Sequence, residues 1–199
     1  MKTIAILFLL IGIAFLFFQI YLAINTSKTE SQAYKLIKKE KGFEIRFYPS
    51  VKLAQITSSA HSYRELSSPG FRKLAGYIFG GNEDNTKIAM TSPVHMDIND
   101  SVSTMSFVLP AEYQNKSLPQ PNDASIKISN TLEEYAAVLH FGGFANDASI
   151  KANTLKLKKM LDRKGINSIG NYRYLGYNPP YQLISRKNEI IVRIAFQEK

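Results

Sequence analysis

The sequence contains no cysteine and no tryptophan. Without a thiol there is no disulfide framework, no zinc–thiolate or iron–sulfur site, no cysteine nucleophile and no attachment point for a lipoprotein anchor. Acidic residues are scarce beside basic ones, 16 Asp+Glu against 25 Lys+Arg, which leaves a formal net charge of +9. Several catalytic signatures are also missing: there is no G-x-S-x-G, no H-E-x-x-H and no phosphate-binding glycine loop. Gly80-Gly81 and Gly142-Gly143 read instead as the ends of a helix and a strand. At 199 residues the chain is long enough for one sizeable domain or two small ones. Its 45% hydrophobic and 21% charged content excludes wholesale disorder.

Charge is absent altogether from residues 4–24, where only Gly12 and Gln19 stand outside the apolar set. As a helix rising about 1.5 Å per residue this run measures roughly 31 Å, enough to cross a hydrocarbon core. No small-x-small cleavage site follows, because Ala23 would be paired with Asn25. Residues 1–24 therefore read as an uncleaved single-pass anchor, with a cleaved signal peptide as the alternative. Lys28, Lys35, Lys38, Lys39 and Lys41 favour a cytoplasmic domain by the positive-inside count. A short basic head before an N-terminal span commonly sends the following domain across the membrane, so the sidedness stays open. Removing residues 1–24 takes away Lys2 and leaves 175 residues with a net charge of +8. Residues 25–40 read as a polar linker and 41–199 as the folded domain.

The domain reads as two copies of one unit. FEIRFY and VKLAQITSSA are short and rich in β-branched or aromatic residues, as strands are. A helix follows, with Ser68 as N-cap, Pro69 in the first turn and Gly80-Gly81 at the end. Its apolar stripe is Phe71, Leu74, Ala75, Ile78 and Phe79. KIAMTSPVHMDI and STMSFVLP then form two strands around a turn at Asn99-Asp100. In the second half SIKIS and YAAVLHFGG are strands, residues 147–164 form a helix ended by Gly165, and YRYLGY, YQLIS and EIIVRIAF close the chain. The order strand–strand–helix–strand–strand thus recurs with a period near 80 residues, an α+β duplication able to pair into one curved sheet or barrel with both helices outside.

The run FRKLAGYIFGGNEDNTKIAMTSPV, residues 71–94, resembles the SOUL haem-binding protein family. The likeness extends to FEIRFYP near residue 45, LPQPND at 118–123, YNPP at 177–180 and RKNEI at 186–190, in the family's order. The resemblance implies a distorted eight-stranded antiparallel β-barrel of two ββαββ units flanked by two helices, here preceded by a transmembrane helix. It also implies non-covalent binding of haem or another tetrapyrrole, and a relation to gyrase-inhibitor-like domains that bind assorted small molecules. The family has no invariant axial histidine, so no iron ligand carries over.

Haem needs an apolar slot, donors for its propionates and, optionally, an axial ligand. The candidate contact set is Phe71, Leu74, Ile78, Met90, Val94, His95, His140 and Tyr177. With period two over residues 87–98, Ile88, Met90, Val94, Met96 and Ile98 share an apolar face, which puts His95 on the polar face beside Asp97. His95 reads either as an axial ligand or as a solvent-facing imidazole paired with Asp97. His140 reads as a buried hydrogen-bonded histidine or as a ligand, and His61 as a surface residue. Arg46 reads as a strand-borne arginine paired with a carboxylate. Lys151, Lys156, Lys158, Lys159, Arg163 and Lys164 lie off the apolar stripe of helix 147–164, either as a solvated face or as a contact for propionates or anionic lipid. No nucleic-acid motif accompanies the positive charge, and no obligate protein partner is implied. The expected protein is a membrane-anchored tetrapyrrole carrier, buffer or sensor, and not an enzyme. The alternatives are a module for another small apolar ligand on the same fold, or a hydrolase of tetrapyrrole esters.

Overall fold

Alternating apolar residues build most of the chain beyond residue 34 into a single antiparallel sheet in the computed structural model, which describes residues 2–114 and 116–196. The strands are β1 (Lys35–Glu40), β2 (Phe43–Tyr48), β3 (Lys52–Ser58), β4 (Val94–Asp97), β5 (Ser103–Val108), β6 (Ile126–Asn130), β7 (Glu134–Phe141), β8 (Ser168–Gly176) and β9 (Asn188–Ile194). Three α-helices accompany them: α1 (Lys2–Lys28), α2 (Tyr63–Ile78) and α3 (Asp147–Lys164). The strand order is β1-β2-β7-β9-β8-β4-β5-β3-β6. Apart from β1 the order is symmetric about the β4–β8 pair. Each half keeps three strands together and sends its first across, β2 to β7 and β6 to β3.

The expected eight-stranded barrel is corrected to a nine-stranded sheet that does not close. The additional strand is β1, drawn from the stretch read as linker, and it occupies the outer edge of β2. Its sequence KLIKKE carries three lysines, which guard a sheet edge against further pairing. The other edge is β6.

One face of the sheet packs under α2 and α3, where Ile45, Ile56, Leu66, Leu74, Met105, Leu139, Leu157, Leu161 and Ile190 are all but fully buried. Helix α2 comes close because Gly70 has no side chain: a Cβ there would stand 3.1 Å from Ile56 Cδ1 and from the Met105 thioether. This helix begins earlier than Ser68 and Pro69 imply. Ser62 is the N-cap, accepting from Glu65 N at 3.2 Å, while Glu65 accepts from His61 N at 2.8 Å. Pro69 consequently lies inside the helix. Helix α3 follows its signals, with a capping box of Asn146 and Ser149 and a left-handed Gly165 (φ 65°) at its end.

The predicted strand over residues 87–98 shortens to β4, because Pro93 can donate no ladder hydrogen bond. The opposite face of the sheet carries a smaller cluster of Tyr48, Ala136, Val138, Leu175 and Ile191.

Helix α1 is long and apolar enough to cross a membrane. Its residues 4–18 are exposed throughout, whereas Gln19 is buried and Leu22, Ala23 and Thr26 are half-buried. These four share one helical face and rest on the domain. Replacing Leu74, fully buried beneath α2, with alanine is expected to cost about 2–5 kcal/mol in urea unfolding. Phe71→Ala, on the 40% exposed ring of the same helix, should cost clearly less.

Candidate functional site

Helix α2 rests on β3 and β5, and α3 on β7, β8 and β9, so β4 lies between the strands that carry the two helices. Aromatic side chains line this seam. Phe71 of α2 stacks 5.2 Å from Phe107, whose register partner is Val94 of β4. Tyr63, at the start of α2, meets Tyr174 of β8 edge-on at 5.4 Å, and Phe141 lies 6.3 Å from the same ring. Gly176 makes room for Tyr174, since a Cβ there would lie 3.0 Å from the phenol oxygen, which donates to Asn188 Oδ1 at 2.7 Å. The Asp147 carboxylate accepts from Tyr63 N at 2.6 Å and joins the N-termini of the two helices.

Beyond Asp147 the exposed Phe144 ring lies under the Arg186 guanidinium at 4.4 Å. Arg186 Nη1 donates to the carbonyls of Pro179 and Gln182 at 2.8 and 2.5 Å and so folds the loop 177–187. Its Nε is buried and has no hydrogen-bond partner. The seam is a partly open apolar surface, with the buried Arg186 Nε at its edge. No cluster of three or more His, Cys, Asp or Glu able to hold a metal occurs among the described residues.

The other face holds a buried ion network. Arg46 is fully buried on β2 and donates to Glu44 Oε2 at 2.7 and 2.9 Å, to Tyr48 Oη at 2.9 Å and to both oxygens of Glu189 at 3.2 Å. Tyr34 covers the guanidinium at 4.0 Å, and Tyr177 donates to Glu189 Oε2 at 2.7 Å. Lys187 pairs with Glu189 at 3.2 Å. Burial opposes ionisation of Glu189, but His140, Arg46 and Lys187 outweigh it and hold its pKa at about 2. Burial likewise opposes the charge on Arg46, yet Glu189 raises its pKa. The expected arginine–carboxylate pair is therefore present, with two carboxylates.

The structure divides the predicted contact set. Phe71, Val94 and the half-buried Met90 lie on the helix-covered side. Leu74 and Ile78 are locked in the core. His95, His140 and Tyr177 belong to the opposite face. His95 is buried there, not solvent-facing, because segment 29–34 crosses that face; its Nε2 is 2.8 Å from Gln32 Oε1. Burial lowers its pKa to about 3, so the imidazole is neutral. His140 is exposed at the network's rim, its Nδ1 3.0 Å from Glu189 and its Nε2 2.7 Å from Arg46 Nη2. Glu189 raises the His140 pKa, against burial and Arg46. His61 is exposed. The sequence reading missed Tyr63, Phe144, Tyr174 and Arg186. For Tyr63 the usable signal was Ser62-x-x-Glu65, which sets the helix start one residue before it.

Two cavities flank these faces. One of about 320 Å³ lies between the end of α1, Ser92 and loop 177–187; the other, about 270 Å³, lies by Phe47, Tyr135, Arg193 and Phe196. Both sit at or below the small end of ligand pockets, about 300–1,000 Å³.

The fold is an α+β fold shared with solved structures of little sequence identity. It superposes on the EcmrR C-terminal domain with a TM-score of 0.56 at 10% identity, covering 78% of this chain and 98% of that one. A hydrolase structure from Listeria innocua superposes with a TM-score of 0.53 at 8% identity, covering 80% and 94%. Such identities speak for the fold alone. Sequence defines the family: the "SOUL heme-binding protein" family matches residues 29–193, and the chain belongs to it. "Heme-binding protein 2" of Mus musculus is 30% identical over 156 residues, 74% of this chain and 76% of that one. "Heme-binding protein 1" of Xenopus laevis is 30% identical over 172 residues, 81% and 90% of the two chains.

Both buried groups make the fold acid-sensitive. His95 falls from 6.5 to about 3 on folding, so its contribution is complete above pH 6.5 and lost as the pH falls toward 3. Glu189 falls from 4.5 to about 2, so its contribution is lost between those values. Urea midpoints should decline in both windows. His95→Asn should flatten the upper one, while Glu189→Gln should cost about 3–5 kcal/mol at pH 7 and flatten the lower one.

Proposed function

We propose that this protein binds haem or another tetrapyrrole non-covalently at the aromatic seam between α2 and α3, and that residues 4–24 anchor it in a membrane. The observation that carries the reading is a partly open group of aromatic side chains between the helices, with Arg186 at its edge, in a chain of the SOUL family. Phe71, Met90, Val94, Tyr63 and Phe144 would contact the macrocycle, and Arg186 would receive a carboxylate. When bound, haem supplies the redox and ligand chemistry of its iron. His95 and His140 are engaged elsewhere, so binding rests on apolar contact, not on an axial imidazole from either. Leu74, Ile78 and Tyr177 support the fold around the site. The role is that of a carrier, buffer or sensor: both relatives are named for haem binding. The apolar, uncharged character of residues 4–24 supports the anchor.

An absorbance titration of the full chain in detergent with haemin should give a shifted Soret band that saturates near one equivalent. His95→Asn and His140→Ala should keep the band. Phe71→Ser and Phe144→Ser, each removing an exposed ring, should weaken binding about tenfold apiece. A non-saturating, unshifted band would overturn the reading.

A further inference from the structure

Residue Gln19 interrupts the apolar run of α1, and a lone amide in hydrocarbon is costly unless it is hydrogen-bonded. Here it is bonded to the domain. Gln19 Nε2 donates to the Tyr181 carbonyl at 3.2 Å, and Gln19 Oε1 accepts from Leu183 N at 2.8 Å. Two turns further along, Thr26 donates to Gln182 Oε1 at 2.8 Å. The loop is thus held along α1 from the level of Gln19 to that of Thr26.

Length then decides where that level lies. Residues 4–18, the part of α1 free of the domain, span only about 22 Å as a helix. A hydrocarbon core is roughly 30 Å thick. The span reaches that thickness only if residues 19–24 also lie in hydrocarbon, which sets the boundary between the levels of Gln19 and Thr26, where the loop is held. The loop's surface suits that position: Tyr181 is 59% exposed, Leu183 47% and Ile184 41%, and Tyr21 of α1 is 59% exposed as well. Aromatic and aliphatic side chains of this kind settle at the headgroup–acyl boundary.

We infer that residues 181–184 form a second membrane contact, seated in the phospholipid headgroup–acyl boundary alongside α1, with Gln19 as the positioning residue. This rests on the anchor reading of α1. Two contacts fix the domain's orientation on the bilayer. They also bring the loop that carries Arg186, at the edge of the aromatic seam, to the membrane surface, so that an apolar ligand could pass between bilayer and seam along a short path.

The chain has no cysteine, so single labelling sites can be introduced into the full-length protein. Leu183→Cys, Phe15→Cys and Leu132→Cys would each carry an environment-sensitive fluorophore, in phosphatidylcholine vesicles containing one quarter phosphatidylglycerol. Quenching is read with lipids bearing a nitroxide high on the acyl chain or near its end. Position 183 should be blue-shifted and quenched by the shallow nitroxide, position 15 by the deep one, and position 132, which is 76% exposed on the β6–β7 turn, by neither. Tyr181→Cys should repeat the result at 183. Quenching at 15 without quenching at 183 and 181 would overturn the loop seat and leave the anchor standing. Absence of quenching at 15 would overturn the anchor and the seat together. In a Gln19→Leu background quenching at 183 should be lost while that at 15 persists; retention at 183 would overturn the role of Gln19.

Discussion

The Arg46 guanidinium is the fixed point on which the rest of the molecule depends. A fully buried cation must be surrounded by acceptors, and those around it come from β2 and β9, with His140 of β7 at the rim. β2 is the strand that the first half lends to the second, so the network stitches the exchanged strand to its hosts. Its demand for cover also explains the opposite face. Tyr34 closes one side, and Tyr177, bonded to Glu189, closes another. The polar segment 29–34 is thereby pinned over the sheet, and His95 beneath it stays neutral.

Pinning Tyr177 has consequences further along the chain. Loop 177–187 is held at one end by Tyr177 and at the other by Lys187 on Glu189. Between them Arg186 gathers the loop's carbonyls and covers Phe144, and Gln182 with its neighbours receives α1. A single loop therefore connects the buried ion network, the aromatic seam and the apolar helix. The seam lies where the two helices, one on β3 and β5 and the other on β7, β8 and β9, leave β4 between them. The seam is the site proposed above for a ligand, in a family whose members are named for haem binding.

Local signals read correctly where local physics decides. Asn146 and Gly165 bound α3 because caps act within one turn, and Arg46 on a strand among apolar neighbours implied a carboxylate partner. Period two placed His95 on the face opposite Val94 and Met96, but it could not say whether that face was covered. The covering segment 29–34 is polar and gives no strand signal. The same limit hid β1, whose KLIKKE resembles a charged linker until it meets the free edge of β2. Tyr63, Phe144, Tyr174 and Arg186 come from four separate segments, and only the fold brings them together. The barrel, taken from resemblance, failed at its edges, where closure depends on pairing between strands distant in sequence.

The central claim is that a tetrapyrrole occupies the seam between α2 and α3. Hydrogen–deuterium exchange of the full chain in detergent, with and without saturating haemin, tests it most directly. Slowed exchange should concentrate in residues 62–72, 141–147 and 183–187, which border the seam, with segment 29–34 and β6 unchanged. Protection centred on 29–34 and 44–48, or no protection at saturating haemin, would contradict it.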